Sequence, residues 1–276
     1  MLNEENVSRH YQNDRLLESI KIGLEKLGKD INSITIEDLA PVDEFHIGGR
    51  VATEHLLAQL NLSPKAHVLD IGCGIGGASR FTAKNYMSTV SGIDLTQEFI
   101  KTGQALCDWT GLENQINLSH NSALLMPFKN QLFDAAYMIH VGMNIDNKTR
   151  LFKEIHRVLQ PGAKLGIYDV MQTGEGSLNY PVPWADSHEI SALASIDEYK
   201  GSLLTSGFTI LDETNRRQFS LDFFKEYKAR MAAQSEPPAL GLHLVMGESL
   251  TTKMQNVLAS ISNGHIAPIE LIVEKQ

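Results

Sequence analysis

Cysteine is scarce: the 276 residues contain only Cys73 and Cys107. Their positions match no metal-ligand spacing, so neither a metal centre nor a disulfide framework is expected. Two free thiols suit a reducing compartment, and the expected location is cytoplasmic. No apolar run reaches the ~20 residues of a membrane-spanning helix. The opening Met1-Leu2-Asn3-Glu4-Glu5 does not read as a signal peptide. Positive charge is thin as well, with 24 Lys and Arg against 33 Asp and Glu and a net charge of −9. Nucleic acid is therefore not an expected partner, because binding phosphates needs clustered Lys and Arg. The chain lacks a Gly-x-Ser-x-Gly elbow, a His-Glu-x-x-His helix and any tyrosine followed four residues later by lysine. Those absences remove the commonest hydrolase readings and the short-chain dehydrogenase dyad.

What is present is organised around Val68-Leu69-Asp70-Ile71-Gly72-Cys73-Gly74-Ile75-Gly76-Gly77. A buried strand carrying an acid leads through a glycine turn into a helix at 78–86. Strand, turn and helix N-terminus in that order make a nucleotide-type site at the carboxyl end of a parallel sheet. Gly72, Gly74 and Gly77 also satisfy the dinucleotide fingerprint. Asp70 tilts the reading, since a carboxylate there repels the pyrophosphate of NAD but suits a ligand with a cationic end. S-adenosylmethionine (SAM) is such a ligand, with a sulfonium, an ammonium and no phosphate.

The pattern outside this stretch predicts an α/β fold. Strands are expected at 68–71, 89–94, 116–120, 133–139, 164–170, 208–211 and 269–274, the last as an edge strand. Helices are expected at 51–60, 97–109, 148–159 and 197–206, with Pro161-Gly162 stopping the third. The result is a Rossmann-like, seven-stranded, mostly parallel sheet with helices on both faces. Residues 1–40 read as a helical arm: Leu16, Leu17, Ile20, Leu24 and Leu27 form a stripe, Gly28 caps it, and a second helix starts near Thr35. The arm is either a lid over the site or an ordinary packing element. Residues 41–50 read as a loop, and 41–276 as the main domain. Helical segments at 217–235 and 243–262, parted by Pro237-Pro238, have the size of a cap inserted at about 213–265.

Several residues sit where ligands meet such a sheet. Asp94 ends the second strand, where its two oxygens suit a vicinal diol; otherwise it is an exposed strand-end acid. Leu95 follows it and is placed to cover an adenine face. Asn121-Ser122-Ala123 lies past the third strand, and His140-Val141-Gly142-Met143-Asn144 past the fourth. His46 is either a ligand contact or a filler.

Taken together these residues resemble a known family. Val68 to Gly74, Gly92-Ile93-Asp94, Pro127-Phe128 before Phe133-Asp134, and Glu154 to Gly162 look like the successive motifs of class I SAM-dependent methyltransferases, over about residues 41–212. Phe45-His46-Ile47-Gly48-Gly49, Ala52-Thr53, Gly76 to Arg80 and Pro183-Trp184-Ala185 resemble the small-molecule branch. That branch includes sarcosine/dimethylglycine, phosphoethanolamine and tocopherol methyltransferases. The resemblance implies SAM as cofactor, S-adenosylhomocysteine (SAH) as product and a small-molecule acceptor, and it leaves room for a homodimer. It implies Phe45, His46 and Gly48 at the methionine end, with Gly72 and Gly74 along the carboxypropyl chain and Asp70 near the ammonium. Asp94 would hold the ribose, Leu95, Ser122 and Ala123 would surround adenine, and His140 would lie near the sulfonium. His46 and His140 are the candidate general bases, because imidazole titrates near neutrality. Trp184 is either a stacking surface for a cationic amine or a structural residue. Ser122 stands where the branch commonly has an acid, and Asn144 where the histidine of a Tyr/His pair is expected. Two other classes stay open: an NAD(P)-dependent oxidoreductase and a non-catalytic SAM-binding module.

Overall fold

A computed structural model describes residues 4–11, 15–233 and 238–276. The first residues of the expected arm, and Pro237 at the expected break, lie outside the described residues. Four helices precede the sheet: α1 (Glu4–Tyr11), α2 (Leu16–Lys26), α3 (Ile36–Asp43) and α4 (Gly49–Ala58). The stripe of α2 buries Leu16, Ile20 and Leu24 completely, whereas Leu27 is exposed. Its end is closed by Gly28 at φ +68° and by Lys29 N–H donating to Leu24 O at 3.0 Å. Thr35 and Asp38 form a reciprocal capping box at the start of α3.

Seven strands follow in the spatial order β3-β2-β1-β4-β5-β7-β6. They are β1 (His67–Ile71), β2 (Thr89–Asp94), β3 (Ile116–His120), β4 (Phe133–Ile139), β5 (Leu159–Gln172), β6 (Phe208–Asn215) and β7 (Ile266–Lys275). The first five are parallel, and β7 runs antiparallel to both neighbours. Side-chain alternation sets the two faces. Leu69, Ile71, Ala136 and Met138 pack with Leu151, Phe152 and Ile155 of α7 (Lys148–Val158) and Leu203 of α8 (Ile196–Thr205). Val68 and Tyr137 face the other way, onto Leu56 and Leu57 of α4, Phe81 of α5 (Gly77–Tyr86) and Ile100 of α6 (Gln97–Trp109). The strand order reverses between β1 and β4, and a crevice opens at their carboxyl ends.

Several expectations are corrected. β7 is interior, not an edge: eight of its first residues are buried, and β6, largely exposed, takes the edge. Pro268 is tolerated there because its carbonyl accepts from Arg216 N–H at 2.9 Å on the β6 side, where that ladder ends. Residues 41–50 are only partly a loop, since α3 runs through Pro41 to Asp43 and α4 begins at Gly49. Proline in that last turn removes a single helical hydrogen bond. β5 begins at Leu159, straight after α7, and absorbs Pro161-Gly162 with a register shift opposite Phe133–Ala135. β6 extends to Asn215. Between β6 and β7 lie α9 (Arg217–Ala232), α10 (His243–Met246) and α11 (Leu250–Ser262), the last two parted by a short 3-10 turn at Gly247. Among the described residues no helix is long and apolar enough to cross a membrane.

One buried ion pair ties the helices before the sheet to the glycine turn. Arg80 of α5 and Asp43 of α3 are completely buried as side chains, with Nη2 donating to Oδ1 at 2.6 Å. Arg80 Nη1 donates to Ile75 O inside the turn at 2.8 Å. Burial opposes the guanidinium charge, but Asp43 outweighs it and raises the arginine above its ordinary value. Removing one partner strands the other charge. Arg80→Met is therefore expected to cost about 3–5 kcal/mol, and adding Asp43→Leu to recover much of it. Denaturant unfolding of the two variants reads both numbers.

Candidate active site

The crevice at the switch point is one continuous cavity walled by the ends of β1, β2 and β4, by the segment 43–47, and by α1, α9 and α11. The turn after β1 is held close by its neighbours. Gly72 and Gly74 have φ of +71° and +54°. A Cβ on Gly72 would lie 2.3 Å from Val141, and one on Gly74 2.8 Å from Phe45. Only glycine fits either place. The turn's amides are tied to β2: Gly72 and Cys73 N–H donate to Ile93 O at 2.8 and 2.9 Å.

Two carboxylates lie at this edge. Asp94 accepts from Gly74 N–H through Oδ2 at 2.9 Å and from Thr96 N–H through Oδ1 at 2.8 Å. Each oxygen is thereby oriented by a backbone amide, and the Thr96 side chain adds a further hydrogen bond. Asp70 Oδ2 accepts from Ser79 Oγ at 2.6 Å and from the Tyr137 hydroxyl at 3.1 Å. Burial pushes the Asp70 carboxyl up to about 7; those two hydrogen bonds oppose the rise, and Asp94 and Glu44 add to it.

The histidines meet beneath the same opening. The His46 and His140 rings are 5.9 Å apart, and His140 lies 5.2 Å from the Tyr168 ring. Burial holds His46 below its ordinary value against the pull of Glu44, and it holds His140 well below, with His46 adding to the effect. Both are neutral imidazoles at pH 7. They differ in commitment. His46 Nε2 already meets Gly49 O and Thr53 Oγ1, each at 3.1 Å, whereas His140 Nε2 is buried with no hydrogen-bond partner among the described residues. His140 also adopts φ +55°, a strained backbone for a bulky residue and one that clusters at functional sites. The turn after it is fixed by Asp169, which accepts from Val141 N–H at 2.7 Å, Gly142 N–H at 2.9 Å and Tyr199 OH at 3.0 Å.

Of the residues singled out in the sequence, Phe45, His46, Asp70, Gly72, Asp94, Leu95, Ala123 and His140 line the cavity. Gly48, Gly74 and Ser122 are not among its lining residues. Gly48 sits under the Phe219 ring, Gly74 is bonded to Asp94, and Ser122 donates to Glu4 of α1. Trp184 is buried with Nε1 donating to Ser191 at 3.0 Å, and it contributes to the wall. Sequence reasoning missed Tyr11, whose hydroxyl donates to Asn144 Oδ1 at 3.3 Å. A tyrosine thus faces the position of the expected Tyr/His pair, with asparagine as its partner. It also missed Phe99, which bridges Tyr11 and Phe45 at ring distances of 5.9 and 5.8 Å, and Lys253.

Asp70 yields a pH prediction. Its unfolded carboxyl titrates near ~4 and its folded one near 7. The native state therefore binds the extra proton between those values, and stability contributed at this position falls as pH rises through that window. Asp70→Asn should remove a loss on the order of 4 kcal/mol between pH ~4 and ~7. Comparing denaturant midpoints of the two proteins across that range measures it.

Comparison with known proteins agrees with this geometry. Residues 69–167 match a family described as a methyltransferase domain. An O-methyltransferase of Pyrenophora dematioidea is 27% identical over 179 residues, 64% of this chain and 67% of that protein. Cycloartenol-C-24-methyltransferase 1 of Oryza sativa subsp. japonica is 36% identical over 117 residues, covering 42% of this chain and 34% of its own length. The matched region thus spans between one third and two thirds of those relatives. Among solved structures, geranyl diphosphate C-methyltransferase from Streptomyces coelicolor A3(2), bound to SAH, Mg²⁺ and geranyl diphosphate, superposes with a TM-score of 0.73. It covers 99% of this chain and 97% of that one at 16% identity, a likeness of fold. With the glycine turn, the two strand-end acids and the strand order already in place, residues 69–167 are similar to a methyltransferase domain and the chain has the fold of SAM-dependent methyltransferases.

Proposed function

We propose that this chain transfers the methyl group of SAM to a small, largely apolar acceptor by in-line displacement. The observation that carries the reading is a single cavity whose wall changes character from end to end. Near the sheet it holds Asp70, Asp94 and the His46/His140 pair; toward α11 it is lined by Met143, Trp184, Phe223, Met254 and Val257. The first end suits a ligand with a diol and cationic groups, and the second suits an apolar body. NAD(P) has no advantage here, since its pyrophosphate would meet Asp70 and Asp94.

SAM supplies an electrophilic methyl carbon beside a positively charged sulfur. The protein supplies placement, exclusion of water and, for a protonated nucleophile, a proton acceptor. In this reading Asp94 takes the ribose hydroxyls, Asp70 the ammonium, and Phe45 covers the methionine end against Gly74. Leu95 and Ala123 flank the adenine, with Gly48 and Ser122 supporting from behind. His140, whose Nε2 lone pair is uncommitted, is the general base, and His46 shapes the pocket through its own bonds. Residues 1–40 act as an arm and about 213–265 as a cap over the apolar end. What supports this is that α1 contributes Val7, His10 and Tyr11 to the wall, and α11 contributes Met254 and Val257. A cytoplasmic setting without a nucleic-acid partner belongs to the same proposal, supported by two free buried cysteines and the net charge of −9.

Two variants separate the roles. Asp94→Ala should weaken SAM binding about tenfold or more, as expected for losing charge-assisted bonds. His140→Ala should lower turnover by about 10²-fold or more while SAM affinity stays within a few-fold. Calorimetry with SAM and steady-state turnover read both. Equal loss of SAM affinity in the two variants would remove the assigned division.

A further inference from the structure

The charges along the cavity are segregated, and the segregation bears on the acceptor. The acids lining it are Glu4, bonded to Ser122 past β3, and Asp43, Glu44, Asp70 and Asp94 on segment 43–47 or at the sheet edge, with Asp43 and Glu44 paired to Arg80 and Arg50. At the far end, inside the apolar lobe, stands Lys253 of α11, its side chain 7% exposed. Its ammonium has three donors, and its partner in the structure is Asp186 Oδ1 at 3.5 Å, a carboxylate 60% exposed. Burying an ammonium on so long and so solvated a contact is costly.

The same Asp186 is shared. Its Oδ2 meets His10 Nδ1 at 2.9 Å, and His10 Nε2 meets the Pro183 carbonyl at 3.0 Å. Lys253 and His10 thus draw on one exposed carboxylate. The Lys253 ammonium is embedded in an apolar wall that includes Met143, Trp184, Phe223, Met254 and Val257.

We infer that the methyl acceptor is an amphiphilic organic anion, with an apolar body filling the lobe and an anionic group anchored on Lys253. The inference rests on the reading that this lobe receives the acceptor, and it narrows that reading to one charge class. The acid-lined end takes the cationic cofactor, and the lysine-bearing end takes the acceptor's anion, so the two ligands cannot exchange places. Lys253 is a binding residue for the acceptor, remote from the proton chemistry assigned to His140. A cationic acceptor is disfavoured by the same ammonium.

The test uses three probes sharing one apolar chain: decanoate, decan-1-ol and decylamine, each below its micellar concentration. They are titrated by calorimetry into the full-length protein saturated with SAH. Decanoate should bind about tenfold or more tightly than the other two, the value of one charge-assisted hydrogen bond. Lys253→Met should erase that advantage and Lys253→Arg should keep most of it. Equal binding of all three, preference for decylamine, no binding of any, or a decanoate advantage that survives Lys253→Met would each overturn the inference. A structural role alone would lower the melting temperature of Lys253→Met and leave the decanoate preference intact. Failure of SAH to bind would instead remove the methyl-transfer reading, and decanoate against decan-1-ol on the unliganded protein would still read the anion preference.

Discussion

The Asp94 carboxylate is the constraint on which the rest of the site depends. One oxygen fixes the amide of Gly74 and the other that of Thr96, so the glycine turn after β1 and the entry to α6 are held by one group. That group is also exposed to the cavity. Such double use explains why the turn is so tightly built, with Val141 against Gly72 and Phe45 against Gly74 leaving no room for a side chain. Arg80 reinforces it from behind by bonding Ile75 O and Asp43, so the segment carrying Phe45 and His46 is registered against the same turn.

Much of this was legible in the sequence. Apolar runs ending in Asp70, Asp94 and Ile139 announced strands, and residues at the carboxyl ends of parallel strands meet the ligand wherever such a sheet reverses its order. The glycine spacing marked the turn, and Asp70 distinguished a cationic ligand from a dinucleotide. What escaped was non-local. Tyr11, His10 and Lys253 come from helices at opposite ends of the chain and meet the site through packing alone. No motif marks them. Gly48, Gly74 and Ser122, placed against the cofactor by resemblance, are not among the residues lining the cavity, although each adjoins one that is.

The position of β7 was misread for a related reason. Weak alternation suggested an edge, but the run from Ile266 to Val273 is buried throughout, which is the signature of a strand covered on both faces. Order within a sheet follows from which strands need covering, and that is settled by the burial of the whole run. The exposed face of β6 makes the same point, since it can stand at the edge without loss.

Chemically, the cavity separates two problems. Acidic charge is concentrated on the sheet edge, where backbone amides orient Asp94 and hydroxyls orient Asp70, while the lobe toward α11 is apolar with the buried ammonium of Lys253. Between them stands His140, kept neutral by burial, with a ring nitrogen that finds no partner among the described residues. A crystal structure with SAH bound tests this division most directly. The account predicts ribose hydroxyls on Asp94, the ammonium beside Asp70, and the sulfur facing the lobe of Met143 and Trp184. A ligand whose ribose lies away from Asp94, or whose sulfur points away from that lobe, would contradict it.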